Sequence, residues 1–258
     1  FATLEELHTA AKRAEPLVEL YLARLDTREA LDDKTLLLRK VARVFEEELD
    51  DRPQAFDALV TAFELDVANM DTVRYLEKIA QATNKWPELI QNVNGWVQTE
   101  ADPARKITLC LRLAKWYAED LGHMEYAQPY YQQVLKLDPN NVQVLRQMAN
   151  FFKKAHRWQD QGNHLTSALN NAVAEQDRKE ILTELGEVLE VRLNEVDQGI
   201  AFYKRALDVD PHFVPALEAL ERHAEALSQL LAVQADVARV LGPESRQAMF
   251  WEPPVGVS

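Results

Sequence analysis

The chain has 258 residues, of which 47% are hydrophobic, and a formal net charge of −13. This acidic balance disfavours binding of nucleic acid through a basic surface, because that mode depends on neutralising phosphates. The single cysteine excludes an internal disulfide framework and an all-thiolate metal site. No apolar run reaches the length of a membrane span.

The predicted elements are helices that pair into hairpins along the chain. Residues 103–121 show the pattern, with Ile107, Leu113 and Tyr117 on one apolar stripe and Pro103 in the first helical turn. We expect about seven such hairpins in a solenoid over residues 1–241. Their boundaries fall near 1–30, 31–68, 69–102, 103–140, 141–175, 176–212 and 213–241.

After the last hairpin, the sequence predicts a short capping helix and an extended tail over residues 242–258. Gly242 is expected to end a helix, Pro243 to start the next, and Pro253-Pro254 to stop it. In the tail, Phe250 and Trp251 are interpreted either as a cap on the open end of the array or as a ligand for this chain or a second copy.

Equivalent residues recur every 72 positions. The register is carried by Ala42, Ala114 and Gly186, by Leu49, Leu121 and Leu193, by Asp66, Asp138 and Asp210, and by Trp86 and Trp158. A fixed period over most of a chain is typical of a stacked repeat protein. Such folds generally present extended binding surfaces, so the period favours an interaction protein.

Within each 72-residue copy, the residues resemble those of the tetratricopeptide repeat family. Small residues are each followed three positions later by a large one, and an Asp-Pro pair ends the second helix. The residues that carry the resemblance are Ala42 with Phe45, Ala114 with Tyr117, Ala149 with Phe152, Gly186 with Leu189, Tyr131, Tyr203, Ala206, Asp138-Pro139 and Asp210-Pro211. The resemblance implies an all-α, right-handed α-solenoid of antiparallel hairpins, a superhelix with a concave groove.

Two features depart from that pattern. Glu77 stands where Ala149 predicts a small residue, and the last copy is about four residues short near residues 224–227. The shortening leaves open whether that hairpin has a tight turn.

The sequence contains no recognisable catalytic motif. A glycine-rich phosphate loop and a Gly-x-Ser-x-Gly elbow are both missing from the sequence. His156 and His164 are separated by an expected turn, which argues against a metal site. We therefore expect no enzyme activity, no metal and no cofactor.

A set of basic and amide residues, which we call the basic ladder, falls on the first helix of successive hairpins. The resemblance to the tetratricopeptide repeat family implies that this helix lines the groove. The ladder comprises Arg39, Arg43, Arg74, Lys78, Arg112, Lys115, Arg146, Asn150 and Lys153. In the last copy the sign reverses, at Thr183, Glu184, Glu187 and Glu190.

Arg146 and Asn150 also resemble half of the carboxylate clamp by which some tetratricopeptide proteins hold chaperone tails. Glu184 stands where the clamp would need an amide, so we reject that assignment. An alternative interpretation of the whole ladder is a solvated face with pairs such as Arg43 and Glu47 one turn apart.

The expected function is a non-enzymatic scaffold that binds a peptide or partner protein in the groove, an acidic one if the basic ladder carries the binding. Two alternatives stay open: a module that self-assembles into homo-oligomers through its ends or tail, and a helical-repeat RNA-binding protein, which the acidic charge disfavours. The cytoplasm is the default location. The first residue is Phe1, not Met, so an earlier targeting segment is not excluded.

Overall fold

The computed structural model describes residues 2–11 and 13–249. Every regular element in these ranges is helical, so the predicted all-α class is confirmed. The chain divides into two compact units, with the boundary between Pro139 and Asn140. Phe250 and Trp251, the proposed cap or self-ligand, lie outside the described residues.

The first unit consists of four helical hairpins, in which helices pack on their neighbours in chain order. The helices are α1 (Ala2–Ala10), α2 (Ala14–Leu25), α3 (Leu31–Arg43), α4 (Arg52–Leu65), α5 (Met70–Thr83), α6 (Trp86–Thr99), α7 (Pro103–Lys115) and α8 (Met124–Leu137). A unit built from neighbour contacts of this kind is organised as a solenoid.

The second unit consists of two hairpins and a long helix. Its helices are α9 (Val142–Lys154), α10 (Trp158–Asn171), α11 (Glu175–Glu187), α12 (Val196–Val209) and α13 (Val214–Met249). Helix α13 packs on α11 and α12.

Helix α13 replaces the seventh hairpin expected at 213–241. It runs without a break through the shortened region near residue 226 and through Gly242 and Pro243, where a helix boundary was expected. Between Pro215 and Gly242 the sequence contains no Gly, Pro or Asn and is rich in Ala, Leu and Glu. With good helix formers and no turn residue, a continuous helix is favoured.

Side-chain caps fix the starts of several first helices. The Asn69 carboxamide accepts a hydrogen bond from the Thr72 backbone N–H at 3.0 Å, and Asn141 accepts one from Val144 at 3.0 Å. These caps satisfy donors that a helix N-terminus leaves without partners. Both caps lie one 72-residue period apart, so the repeat covers helix starts as well as core residues.

The small residues of the repeat lie where two helices cross, as their pattern predicts. Ala42 and Ala114 are fully buried. At Gly186, an added Cβ would lie 2.4 Å from a ring carbon of Tyr203, and at Gly199 it would lie 2.9 Å from the Gly186 carbonyl oxygen. The approach of α12 to α11 therefore requires glycine at both positions.

Three first helices end in a π-helical turn, an element that the sequence patterns did not reveal. The turns are Val44–Glu48 after α3, Trp116–Asp120 after α7 and Val188–Arg192 after α11. Each is followed by a left-handed residue, at Asp50, Gly122 and Asn194. Helices α5 and α9 have no such turn, so the two hairpins within one 72-residue copy differ in structure.

Aromatic side chains fill much of the core of the first unit. Phe63 and Trp116 are fully buried with ring centroids 5.8 Å apart, and Trp86 packs edge-on against Trp116 at 5.7 Å. Cys110 is fully buried as expected, and burial raises the pKa of its thiol to about 11. These residues stabilise the fold and leave no reactive thiol at the surface.

Candidate interaction surface

Four of the predicted ladder residues line one cleft between the first helices α3 and α5 of the first unit. Tyr75 on α5 donates a hydrogen bond to Glu46 in the turn after α3 at 2.7 Å. Lys78, also on α5, lies 2.9 Å from the other oxygen of Glu46. The faces of α3 and α5 are therefore adjacent, and a cleft of about 570 Å³ lies between them.

Cations in this α3/α5 cleft differ in how they are paired. Arg39 lies 3.0 Å from Asp71, and Lys78 is paired with Glu46. Arg43 and Arg74 also line the cleft, are exposed, and make no ion pair with a described residue. Two guanidinium groups are thus open to a ligand.

The hydrogen bonds around Glu46 fix its charge. Burial acts to raise the pKa of Glu46, but the hydrogen bonds from Lys78 and Tyr75 hold that pKa below its ordinary value. Burial and the bond to Glu46 raise the pKa of the Tyr75 phenol. Glu46 is therefore a carboxylate at neutral pH that joins α3 to α5.

The next pair of first helices, α5 and α7, is closed by Glu77. The Trp116 indole N–H donates to Glu77 at 2.7 Å, Lys115 lies 3.4 Å away and Arg112 lies 3.9 Å away. Burial lowers the pKa of Arg112, whose side chain is 11% exposed. Glu77, which departs from the small-residue pattern, therefore satisfies a buried indole and holds two ladder cations in place.

In the second unit, the ladder cations are bound by carboxylates of α11. Arg146 lies 3.2 Å from Asp177 and 2.9 Å from both Glu180 and Glu184. Lys153 lies 3.9 Å from Glu187, and Asn150 is exposed. The contact of Arg146 with Glu184 is consistent with rejecting a carboxylate clamp there.

Six of the eight ladder cations therefore have ion-pair partners, which the ladder prediction did not anticipate. The sequence analysis did not single out Glu46, which stands four positions after the small residue Ala42, and it named Glu190, four positions after Gly186, only for its charge. Glu190 accepts a hydrogen bond from Tyr203 at 2.9 Å and contacts His223 at 3.1 Å. In these two copies an acid one turn after the small residue contacts the next first helix, whereas the residue at that place after Ala114 is Ala118.

Two structural features are absent from the described residues. No group of three or more His, Cys, Asp or Glu side chains that suits a metal ion occurs among them. Within the same part of the chain, no helix combines the length and the apolar character needed to cross a bilayer.

One comparison with known proteins gives the type of repeat for part of the chain. The family model for a tetratricopeptide repeat matches residues 107–141, which hold most of α7 and all of α8. None of the curated proteins matches the chain by sequence.

Several solved structures resemble the chain at low identity. YrrB, described as a TPR protein with an unusual peptide-binding site, is 12% identical, with 79% of this chain and 99% of that chain covered and a TM-score of 0.48. PilF of Pseudomonas aeruginosa is 14% identical, with 85% and 95% covered and a TM-score of 0.47. The N-terminal domain of STI-1 from C. elegans is 12% identical, with 47% and 98% covered and a TM-score of 0.43.

With TM-scores below 0.5, these structures add no argument beyond the family match. Of the residues that carried the resemblance, Ala114, Tyr117, Tyr131 and Asp138-Pro139 lie inside the matched segment. The chain therefore contains a tetratricopeptide repeat at residues 107–141.

Proposed function

We propose that the chain is a non-enzymatic interaction module that binds an acidic peptide segment of a partner protein in the α3/α5 cleft. The observation that carries the proposal is the pair of exposed guanidinium groups, Arg43 and Arg74, that have no ion-pair partner among the described residues. Arginine presents several N–H donors in a fixed fork, a geometry that suits carboxylates.

The surroundings of the two arginines support an extended ligand. Tyr75 and Leu36 line the same cleft, so apolar surface lies beside the charges. In a tetratricopeptide repeat, the first helices face the groove that receives partners. Binding energy concentrated in a few Arg and aromatic side chains is common at protein interfaces.

The pairing of the other cations argues against the RNA-binding alternative. An RNA strand needs a run of open positive charges along its phosphates, whereas Arg39, Lys78, Arg112 and Lys115 are held by the chain's own carboxylates. The cytoplasm remains the proposed location.

The test uses a fluorescein-labelled peptide of six Gly-Glu repeats, titrated with the full chain by fluorescence anisotropy at low salt. Arg43→Glu with Arg74→Glu should raise the Kd at least about tenfold, since like charges then face the ligand. Circular dichroism should show unchanged helicity.

The matched control is Lys136→Glu with Lys204→Glu, which makes the same change in net charge at two exposed positions outside the cleft. It should shift the Kd far less. Equal weakening by the two double variants would show that the peptide responds only to overall charge, and the proposal would then be abandoned.

A further inference from the structure

Helix α13 packs on the rest of the second unit only near its start. Ala216 and Ala219 are buried there, and His223 contacts Glu190 at 3.1 Å. From Ala224 to Ala235, by contrast, every residue is exposed. The helix therefore leaves its neighbours near residue 223 and continues for about three further turns over these residues.

An apolar row of side chains, which we call the α13 seam, runs through both parts of this helix. Residues alternately three and four positions apart share one face of a helix. The seam consists of Leu217, Leu220, Ala224, Leu227 and Leu231. Leu217 is 42% exposed, Leu227 50% and Leu231 56%. It is a contiguous apolar surface open to a partner.

The opposite face of α13 is polar. Glu218, Arg222, Glu225 and Gln229 follow the same alternating spacing about half a turn from the seam, and all four are exposed. A helix with one charged and one apolar side is typical of a helix whose apolar side is covered. The pattern therefore indicates that the seam is a packing surface.

In earlier hairpins, the corresponding residues are covered by the second helix. Leu145, one 72-residue period before Leu217, is 5% exposed. Phe152, one period before Ala224, packs on His164 of α10 with ring centroids 4.9 Å apart. The first half of the seam is thus the face on which a second helix lies elsewhere in the chain.

The α13 helix cannot cover its own seam. Between first and second helices, Asn84 and His156 adopt left-handed conformations, with φ of 56° and 55°, in the turns that reverse the chain. The last copy is about four residues short at this place, and α13 runs through it unbroken. Its second half therefore points away from its first half, and the covering helix has to come from another molecule.

We propose that the α13 seam of one chain packs against the α13 seam of a second copy, in an antiparallel pair. With a two-fold axis at Ala224, Leu217 of one copy faces Leu231 of the other. The second half of each helix then replaces the missing second helix of the other copy. Such a contact uses the same surface on both chains and closes at a dimer. It goes beyond the proposed function and does not depend on the α3/α5 cleft.

The charge of the chain favours this face for self-association. Each copy has a net charge of −13, so two copies repel one another unless their contact is free of charge. The seam is uncharged. In the antiparallel register, Glu221 beside the seam lies next to Leu227 and Ser228 of the other copy, about 9 Å along the axis from the second Glu221.

Sedimentation velocity of the full chain, over a hundredfold range of concentration, tests the proposal. The mass should rise with concentration from the 29.5 kDa of one chain to twice that value. Leu227→Glu with Leu231→Glu should raise the dimer Kd at least about a hundredfold, because carboxylates would be buried in the pair. Both leucines are exposed in the single chain, so helicity by circular dichroism should not change.

The control is Gln229→Glu with Ala232→Glu, which adds the same charge at exposed positions of α13 outside the seam. It should leave the dimer Kd within about threefold of the unaltered chain. A monomer at every concentration, or equal weakening by the two double variants, would overturn the proposal.

Disulfide cross-linking tests the antiparallel arrangement. A mixture of Leu217→Cys and Leu231→Cys chains should form a cross-linked dimer on mild oxidation, because the two thiols face each other across the pair. Each variant alone should cross-link far less. Efficient cross-linking of Leu217→Cys with itself would indicate parallel helices and contradict the arrangement. The native Cys110 is buried and does not compete.

Discussion

The α3/α5 cleft of the first unit and the α9/α11 cleft of the second both lie between the first helices of adjacent hairpins. Their charges are nevertheless opposite in effect. In the first, Arg43 and Arg74 have no ion-pair partner in the described part of the chain. In the second, Arg146 is outnumbered by three carboxylates. A basic residue at a groove position therefore does not by itself make the groove basic.

The difference arises on the neighbouring helix. Helix α5 offers Asp71 and Glu77 to the cations beside it, whereas α11 offers Asp177, Glu180, Glu184 and Glu187. The carboxylates on adjacent first helices thus set the charge that a first helix shows to a ligand. The three predictions below change the pairing in one place and leave it intact in another.

The largest effect is expected at Glu77, whose carboxylate pairs with ladder cations and also accepts a hydrogen bond from a buried indole. Glu77→Ala should lower the free energy of unfolding by about 1–3 kcal/mol, because the N–H of the fully buried Trp116 loses its acceptor. Urea unfolding followed by circular dichroism measures the change.

Glu77→Gln is the control for this prediction, since it keeps an oxygen acceptor and removes the charge. It should retain at least half of the lost stability. If the two variants are equally destabilised, the ion pairs with Lys115 and Arg112 are responsible, and the role given to the indole bond is wrong.

An intermediate effect is expected when the stability cost of replacing an ion-paired arginine is compared with that of replacing an arginine without an ion pair. Arg146→Met should cost about 1 kcal/mol at neutral pH, because three partly exposed carboxylates are left to repel one another. Arg74→Met should change the unfolding free energy by less than about 0.5 kcal/mol. Similar costs for both variants in thermal melts would contradict the distinction between the clefts.

The smallest effect is a pH dependence. The pKa of Glu46 is held below its ordinary value of 4.5, as is that of Glu180, where hydrogen bonds from Gln176 and Arg146 act. A lowered pKa means that the native state binds the proton less readily than the unfolded state does. Its stabilisation is therefore complete above pH 4.5 and is lost as the pH falls through the lower native value.

Glu46→Gln should accordingly flatten the loss of thermal stability between about pH 5 and pH 3, while leaving a residual slope from other carboxylates. Melting curves at half-unit pH steps provide the measurement. An acid limb that is as steep in the variant as in the unaltered chain would show that Glu46 does not contribute.

Much of the fold is readable from sequence because its causes are local or periodic. The stripe of α7, the buried Cys110 and the small residues at Ala42, Ala114 and Gly186 all follow from spacing along one helix. The seventh hairpin was predicted by extending the period, and α13 shows that a period does not impose a turn where the turn residues are missing.

The pairing of the ladder was not predictable in the same way. Arg39 meets Asp71 from 32 positions away, and Arg146 meets Glu184 from 38. Such contacts depend on how one first helix is rotated against the next, and charge patterns within one helix carry no information on that rotation. The hydroxyls of Tyr75 and Tyr203 and the indole of Trp116 donate to acidic residues of other elements. The sequence alone does not show which acids these are.

The π-helical turns also bear on how the chain arose. A π-turn places an extra residue in a helix, and here it occurs after α3, α7 and α11, one period apart, but not after α5 or α9. An insertion made after separate hairpins had multiplied would not fall in alternate ones at a constant spacing. The unit that repeats is therefore a pair of unlike hairpins, of which only the first carries the π-turn.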